Sequence, residues 1–287
     1  MLWALANVMD GALKKNLIAD EVALSWLITA IRLPVVLAML AYSLPFSAEP
    51  KAIGLMLLSG LLLTFPLTFY YKALAHEDPS RIALILQSVP VFNLLIAYFT
   101  LNESLTSMQA IAFSILILAG MIAALRHTIK GWRLSQAFGL ILLASFLWAV
   151  SDVLFKAASP AFPHYLDGFT LYMLGSFLTS FLFLAETKGH ILRAMLKAMS
   201  PKAWGYVITT SLGGFLGSAA FTFALTLGKV SLTSVLMGVQ PLFVFGLGIG
   251  LHRFSRTIAP EDTSKKALLM KGLSFALVVA GLALLEM

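Results

Sequence analysis

About ten apolar stretches run through the 287 residues, and the last five echo the first five. Each stretch is close to the roughly 20 residues that a helix needs to cross a bilayer. Hydrophobic residues make up 60% of the chain and charged residues 11%, against about 45–50% and about 25% in soluble globular proteins. A soluble domain of this length could not bury so much apolar surface. The chain therefore reads as all-α and membrane-embedded from end to end: a polytopic protein of about ten transmembrane helices.

The spans are predicted near 2–18, 23–45, 52–71, 81–100, 106–125, 137–157, 166–186, 203–226, 231–250 and 268–286. Short links with chain breakers separate them, such as Pro45 to Pro50, Asp78-Pro79 and Ser200-Pro201. The internal echo is ordered. Trp3-Ala4 lies over Trp148-Ala149, Ala73-Leu74 over Ala224-Leu225, Ser80 over Ser231, Pro90-Val91-Phe92 over Pro241-Leu242-Phe243, and Ala119-Gly120 over Ala280-Gly281. The offset grows from 145 through 151 to 161, so the second half carries small insertions. The expected organisation is a first five-helix repeat at 1–125, a basic linker at 126–136 and a second five-helix repeat at 137–287. Five spans per unit make the second repeat enter the membrane from the opposite side, so the two are inverted. Inverted repeats of this kind build secondary transporters around a site near the membrane midplane.

Several classes of chemistry are disfavoured. There is no cysteine, hence no disulfide and no thiolate site. His76, His127, His164, His190 and His252 are scattered, so neither a metal nor a cofactor is expected. No GxxxxGK[ST] motif is present to bind a nucleotide. The net charge of +7 does not indicate nucleic acid, because the basic residues sit in short links rather than a continuous patch. The expected partners are the lipid bilayer, a small solute and a coupling proton or other ion. No cleavable signal peptide is evident. The first span is short and carries Asn7, Asp10 and Lys14, which predicts either a start upstream of Met1 or a helix held in place by its neighbours.

Loops after the odd-numbered spans, together with the span ends that flank them, hold 16 of the 20 Lys and Arg residues, while those after even-numbered spans hold only Lys51 and Lys229. By the positive-inside rule this bias places both termini outside.

Ionisable groups within spans are few, and each costs about 2.5–3.5 kcal/mol on insertion scales, so they should face the protein interior or a water-filled cavity. Asp152 and Lys156 are four residues apart, on a helix face shared with Trp148 and Ser145. Trp3, Asn7, Asp10 and Lys14 form a parallel stripe on the first helix. Inverted symmetry brings these two stripes to opposite sides of one cavity, where Asp152 or Asp10 binds an amine or a proton; the alternative is a local ion pair with the lysine reaching the interface. Arg32 either holds a substrate carboxylate or pairs with Asp10 or backbone carbonyls. Pro90 and Pro241 remove helix donors in the middle of spans 4 and 9, freeing the carbonyls of Leu86 and Met237 and marking hinge candidates. Gln87, Ser88 and Gln240 supply neutral hydrogen bonds beside them. Thr68, Tyr71 and Thr222 belong to polar faces of spans 3 and 8 that either line the cavity or bond their own backbone. Gly213, Gly214 and Gly217, like Ser231, Ser234 and Gly238, read as close helix packing. Glu103, at the end of span 4, reads as a cap or a loop partner. Trp132 and Trp204 read as interface markers.

These ordered motifs resemble the drug/metabolite transporter superfamily, EamA type. The resemblance rests on Trp148-Ala149 with Lys156 eight residues on, Arg32 in the second span, and the run from Tyr71-Lys72-Ala73-Leu74 through Ser88-Val89-Pro90-Val91-Phe92 and Asn102-Glu103 to Leu118-Ala119-Gly120. Their order and spacing carry it over nearly the whole chain. Two positions depart from the pattern. His252-Arg253-Phe254 stands where a second acidic residue would lie, and Gly11 stands where the tryptophan spacing would put a lysine. The resemblance implies solute transport through a central cavity, often export of amino acids or other small metabolites across the cell membrane. It also implies cytoplasmic termini, against the charge count. The expected function is thus a secondary carrier and not an enzyme. The alternatives are an integral membrane enzyme and a channel or non-transporting assembly factor.

Overall fold

The computed structural model describes residues 1–101, 106–128, 131–186, 189–258 and 261–285. Glu103 lies outside them. A described helix overlies each of the ten apolar stretches, in a bundle that is all-helical apart from one hairpin. By length and apolarity six described segments qualify as crossings, and one bent pair makes seven. The number of crossings therefore rests on fewer segments than the ten read from sequence.

Helix α1 (Leu2–Asn16) has only 15 residues. It is buried among its neighbours over most of its length, from Ala6 to Lys14, which is how so polar and short a segment keeps its place. The second stretch is broken into α2 (Glu21–Ala30) and α3 (Leu33–Ser43), bent by 43°. Asp20 caps α2 by accepting from the Ala23 N–H at 2.7 Å, and Pro34 cannot donate to the Ala30 carbonyl, so the helix bends between them. The third stretch breaks the same way at Pro66, into α4 (Pro50–Thr64) and α5 (Leu67–Leu74). The fourth gives α6 (Pro79–Ile85) and α7 (Ser88–Leu101), and the fifth gives α8 (Ser107–Ala124).

The basic link folds in part as an antiparallel hairpin, β1 (Leu125–Thr128) with β2 (Gly131–Leu134), in which Arg126 pairs with Arg133 in register. In the second half, α9 (Ala137–Ala158), α10 (Tyr165–Glu186) and α12 (Pro201–Leu227) are continuous. Between the last two lies α11 (Gly189–Ala198), where the sequence suggested only a basic link. Leu192, Met195 and Leu196 face the core from it, while Arg193 and Lys197 are exposed. The ninth stretch is α13 (Val230–Val235), a 3-10 turn at Leu236–Val239 and α14 (Gln240–Phe254), followed by α15 (Lys265–Leu285). The two halves thus match in their broken fourth helices. They differ in the second and third, which break only in the first half.

The tightest helix contact was not among the small-residue patterns singled out above. It joins α4 to α10. A Cβ on Gly60 would overlap the Tyr172 carbonyl, and one on Gly175 would overlap the Leu57 carbonyl. Hydroxyls knit the same region. Ser59 and Ser151 donate to each other's carbonyls at 2.7 and 2.8 Å, and Thr64 meets Ser176 at 2.6 Å. Close approach lets weak dispersion and polar contacts accumulate where lipid offers no hydrophobic drive between helices. Gly60→Ala should therefore push α4 from α10 and lower stability by about 1–3 kcal/mol. Gly54→Ala, where a Cβ meets nothing within 4 Å, should stay within about 0.5 kcal/mol of the parent. Thermal unfolding of both variants in detergent measures the difference.

Candidate functional site

One cavity of about 180 Å³ lies between the two halves. For scale, an apolar cavity of about 150 Å³ holds benzene. Trp3, Asn7 and Asp10 reach it from α1, Arg32 from the α2–α3 bend, and Tyr71 from α5. Gln87 and Pro90 line it at the α6–α7 break, Trp148 and Asp152 from α9, and Gln240 at the start of α14. The stripes on α1 and α9 do meet across one space.

Four of the residues singled out from sequence do not line it. Thr68 donates to the Phe65 carbonyl at 3.1 Å, the local backbone alternative. Thr222 donates to the Ser218 carbonyl at 2.7 Å and meets the Tyr165 hydroxyl at 2.8 Å. Lys156 turns away from Asp152, because the end of α12 offers it a carbonyl, that of Leu225 at 2.7 Å. Pro241 is buried one residue beyond Gln240, outside the lining. Lys14 likewise turns from Asp10 to the Ala19 carbonyl and to Glu21 at 2.8 Å. The two lysines thus cap neighbouring chain ends and leave the carboxylates to the cavity.

Within the cavity the polar groups are specific. Asp10 accepts from the Tyr71 hydroxyl at 3.0 Å and from that of Tyr70 at 3.3 Å. Tyr70 also reaches the Asn7 side-chain carbonyl at 3.1 Å. Asp152 accepts from the Asn93 amide at 2.9 Å. Arg32 donates to the Ser211 hydroxyl at 3.2 Å. Among the described residues neither aspartate has a cationic side chain within ion-pair distance. The Asn7 amide nitrogen and the amide oxygens of Gln87 and Asn93 are buried with no hydrogen-bond partner among the described residues. The cavity therefore presents two carboxylates, one guanidinium and unfilled neutral donors and acceptors. Tyr70 and Asn93 were missed in the sequence. Asn93 was legible as a polar residue three positions after Pro90, on the same helix face.

The two tryptophans show the internal symmetry in atomic detail. Trp148 donates its indole N–H to the Leu63 carbonyl at 2.8 Å, and Trp3 donates to the Gly214 carbonyl at 3.3 Å. Leu63 and Gly214 are 151 positions apart, the offset of that part of the repeat. So are Tyr70 and Phe221, whose rings lie 5.9 Å from Trp148 and 5.3 Å from Trp3 respectively. Each half thus lends its indole to the other. Of the glycines read as helix-packing residues on α12, Gly213 does lie against the α1 backbone, at the Leu2 carbonyl, whereas Gly214 and Gly217 serve the site. A Cβ on Gly217 would lie 2.5 Å from the Trp3 ring, and one on Gly214 would lie 2.7 Å from the Arg32 guanidinium.

Comparison with known proteins bears on the family and the fold. Residues 2–126 match the EamA-like transporter family. Over those residues the match supports the resemblance read from the motifs, and together with the long apolar helices it supports a multi-pass membrane protein. A solved structure described only as "Crystal structure of protein" is similar at 18% identity, with a TM-score of 0.63. It covers 99% of this chain and 94% of its own, which extends the shared fold through the second half. No curated protein matches the chain.

The two indole bonds differ for a structural reason. α4 ends at Thr64 and α5 starts only at Leu67, so Trp148 serves a carbonyl at a helix break. Trp3 adds a second donor to a carbonyl inside the continuous α12. Trp148→Phe should therefore cost about 1–3 kcal/mol, the penalty for a buried group left without its partner. Trp3→Phe should cost less. Unfolding midpoints of the two variants would reverse that order if this reading were wrong.

Proposed function

We propose that the chain is a secondary transporter of the cell membrane that carries a small organic solute bearing an amino group, an amino acid or related metabolite, by alternating access. The observation that supports it is the charge pattern of the cavity: Asp10, Asp152 and Arg32 face one enclosed space without ion-pairing to one another. Keeping three ionisable groups within an apolar bundle is unfavourable unless solute, ion or water completes them. Asp10 and Asp152 offer acceptor oxygens to an ammonium or a coupling proton. Arg32 offers the planar donor pair that suits a carboxylate. The free amide groups of Asn7 and Gln87 suit neutral polar atoms, and the tryptophans and tyrosines provide apolar walls. The energy comes from a solute or proton gradient.

The hinge assignment rests on the matched breaks before Pro90 and within the ninth stretch. At the first, the Leu86 carbonyl is not left free. It accepts from the Val89 N–H at 2.9 Å, and the Gln87 N–H bonds the Leu84 carbonyl at 3.2 Å. The break is thus a tightened turn whose bonds survive small rotations, which suits a hinge. Pro90→Ala and Pro241→Ala should slow turnover more than they weaken binding, measured as a fall in maximal flux at nearly constant half-saturation. Equal maximal flux would reduce both prolines to packing features.

Flux into proteoliposomes, with a pooled amino-acid and metabolite panel and an imposed pH gradient, tests the reading. Saturable movement of one solute class is expected. Asp152→Asn should insert normally yet lower flux about tenfold or more, because a hydrogen bond to a charged group contributes about 1.5–3 kcal/mol. Unchanged flux and pH response in both Asp152→Asn and Asp10→Asn would remove the carboxylates from the mechanism.

A further inference from the structure

We propose that the described residues between α14 and α15, 255–258 and 261–264, form a latch that closes the cavity on the lysine- and arginine-rich face, with Glu261 as its buried key. The proposal rests on the alternating-access reading above. The cavity is lined from the halves of α1 and α9 that point away from that face, by Trp3 to Asp10 and by Trp148 and Asp152, and from the middle of α12, by Thr210 to Phe221. One residue beyond Asp10 the passage narrows, since a Cβ on Gly11 would lie 2.5 Å from Pro79 at the start of α6. Over this constriction sits the latch.

Its apolar part is Ile258, which is buried in a cluster with Ala12 of α1, Ala83 of α6 and Val244 of α14. Its polar part is Glu261, buried at 1% side-chain exposure. Glu261 accepts from the Ser80 backbone N–H at 3.3 Å and from the Ser80 hydroxyl, and it pairs with Lys271 of α15 at 2.7 Å. Gly248 makes room for it, since a Cβ there would meet the Glu261 side chain at 3.0 Å. Flanking bonds hold the segment down. The Asn16 amide donates to the Thr257 carbonyl at 2.6 Å, the Asp262 N–H donates to Asp78 at 3.1 Å, and Lys15 reaches Asp78 at 3.3 Å. The Ser264 N–H in turn bonds Asp262 and holds its carboxyl below the ordinary range.

Of the hydrogen bonds at Glu261, Thr257 and Asp262, all except those with Lys271 and Ser264 cross from the second half to the first. Alternating access requires the halves to part on this face. A buried ion pair adds little net stability over apolar packing, so its presence is better explained by the state it selects. When the face opens, water can replace the hydrogen bonds, while Ile258 and the apolar residues it packs against lose cover.

The cysteine-free chain makes the test direct. Asn16→Cys with Thr257→Cys, joined by a short reducible thiol cross-linker, should stop uptake of a radiolabelled amino-acid mixture in proteoliposomes, and reduction should restore it. Fully cross-linked protein that transports at the uncross-linked rate would overturn the latch. Separately, an Ala12→Cys reporter should react with a membrane-impermeant maleimide about tenfold faster once Glu261→Gln is added, which corresponds to a shift of 1.4 kcal/mol in the open–closed equilibrium. Equal reactivity would also overturn it. If Glu261→Gln does not fold, the cross-link arm still decides. If the uncross-linked protein moves no solute, the transport reading fails while the labelling arm still reads the latch.

Discussion

Inside a bilayer every backbone N–H and C=O must find its partner within the protein or in a water-filled space. An unbroken helix meets that demand by itself. This chain forgoes that solution in four of its apolar stretches, and the rest of the site is arranged around those breaks. The α4–α5 break presents the Leu63 carbonyl to Trp148, and the α2–α3 bend turns Arg32 toward α12. The α6–α7 break places Gln87 and Pro90 on the cavity, and the break before α14 does the same for Gln240. Irregular backbone at membrane depth is tolerated where it lines a cavity, and that is where it is found.

The reciprocal indole contacts connect this backbone constraint to the internal duplication. Each tryptophan extends from one half to a carbonyl of the other, at positions related by the repeat. An assembly whose halves share their site in this way holds the cavity at their boundary, where the proposed alternating access would act. The two ends are not built alike. On the basic face polar contacts and Ile258 tie the halves together, whereas the lining residues lie toward the other end. The departure of this sequence at His252 to Phe254, where an acidic residue was missing, is followed by the same segment that supplies a buried carboxylate, Glu261, at a different place.

Much of the fold and part of the site were legible before any coordinates. Hydropathy located the apolar helical stretches but not α11, and the ordered Trp, Pro and Gly landmarks pointed to a duplication, because only a few residue types tolerate indole reach, kinks or close approach. The stripes on α1 and α9 were readable from helical periodicity alone, since an ionisable residue in an apolar helix has one low-energy direction to face. The same periodicity misled at Lys14 and Lys156. Sharing a face with an aspartate fixes where a side chain starts, but a lysine is long enough to choose a carbonyl at a neighbouring chain end. It misled again at Gly214 and Gly217, which accommodate Arg32 and Trp3 rather than another helix backbone.

By itself, then, the sequence determined the solvent the chain lives in, the positions of its apolar helices, its two-fold internal plan and the small set of intramembrane charges, all of which follow from local composition and spacing. Only the tertiary structure decided which of those charges share a cavity, that Tyr70 and Asn93 supply the bonds to Asp10 and Asp152, that α4 and α10 touch through Gly60 and Gly175, and that Glu261 returns to Ser80. Those are contacts between residues far apart in the chain, set by helix rotation and by breaks of a few residues, and no local pattern encodes the direction in which a broken helix turns.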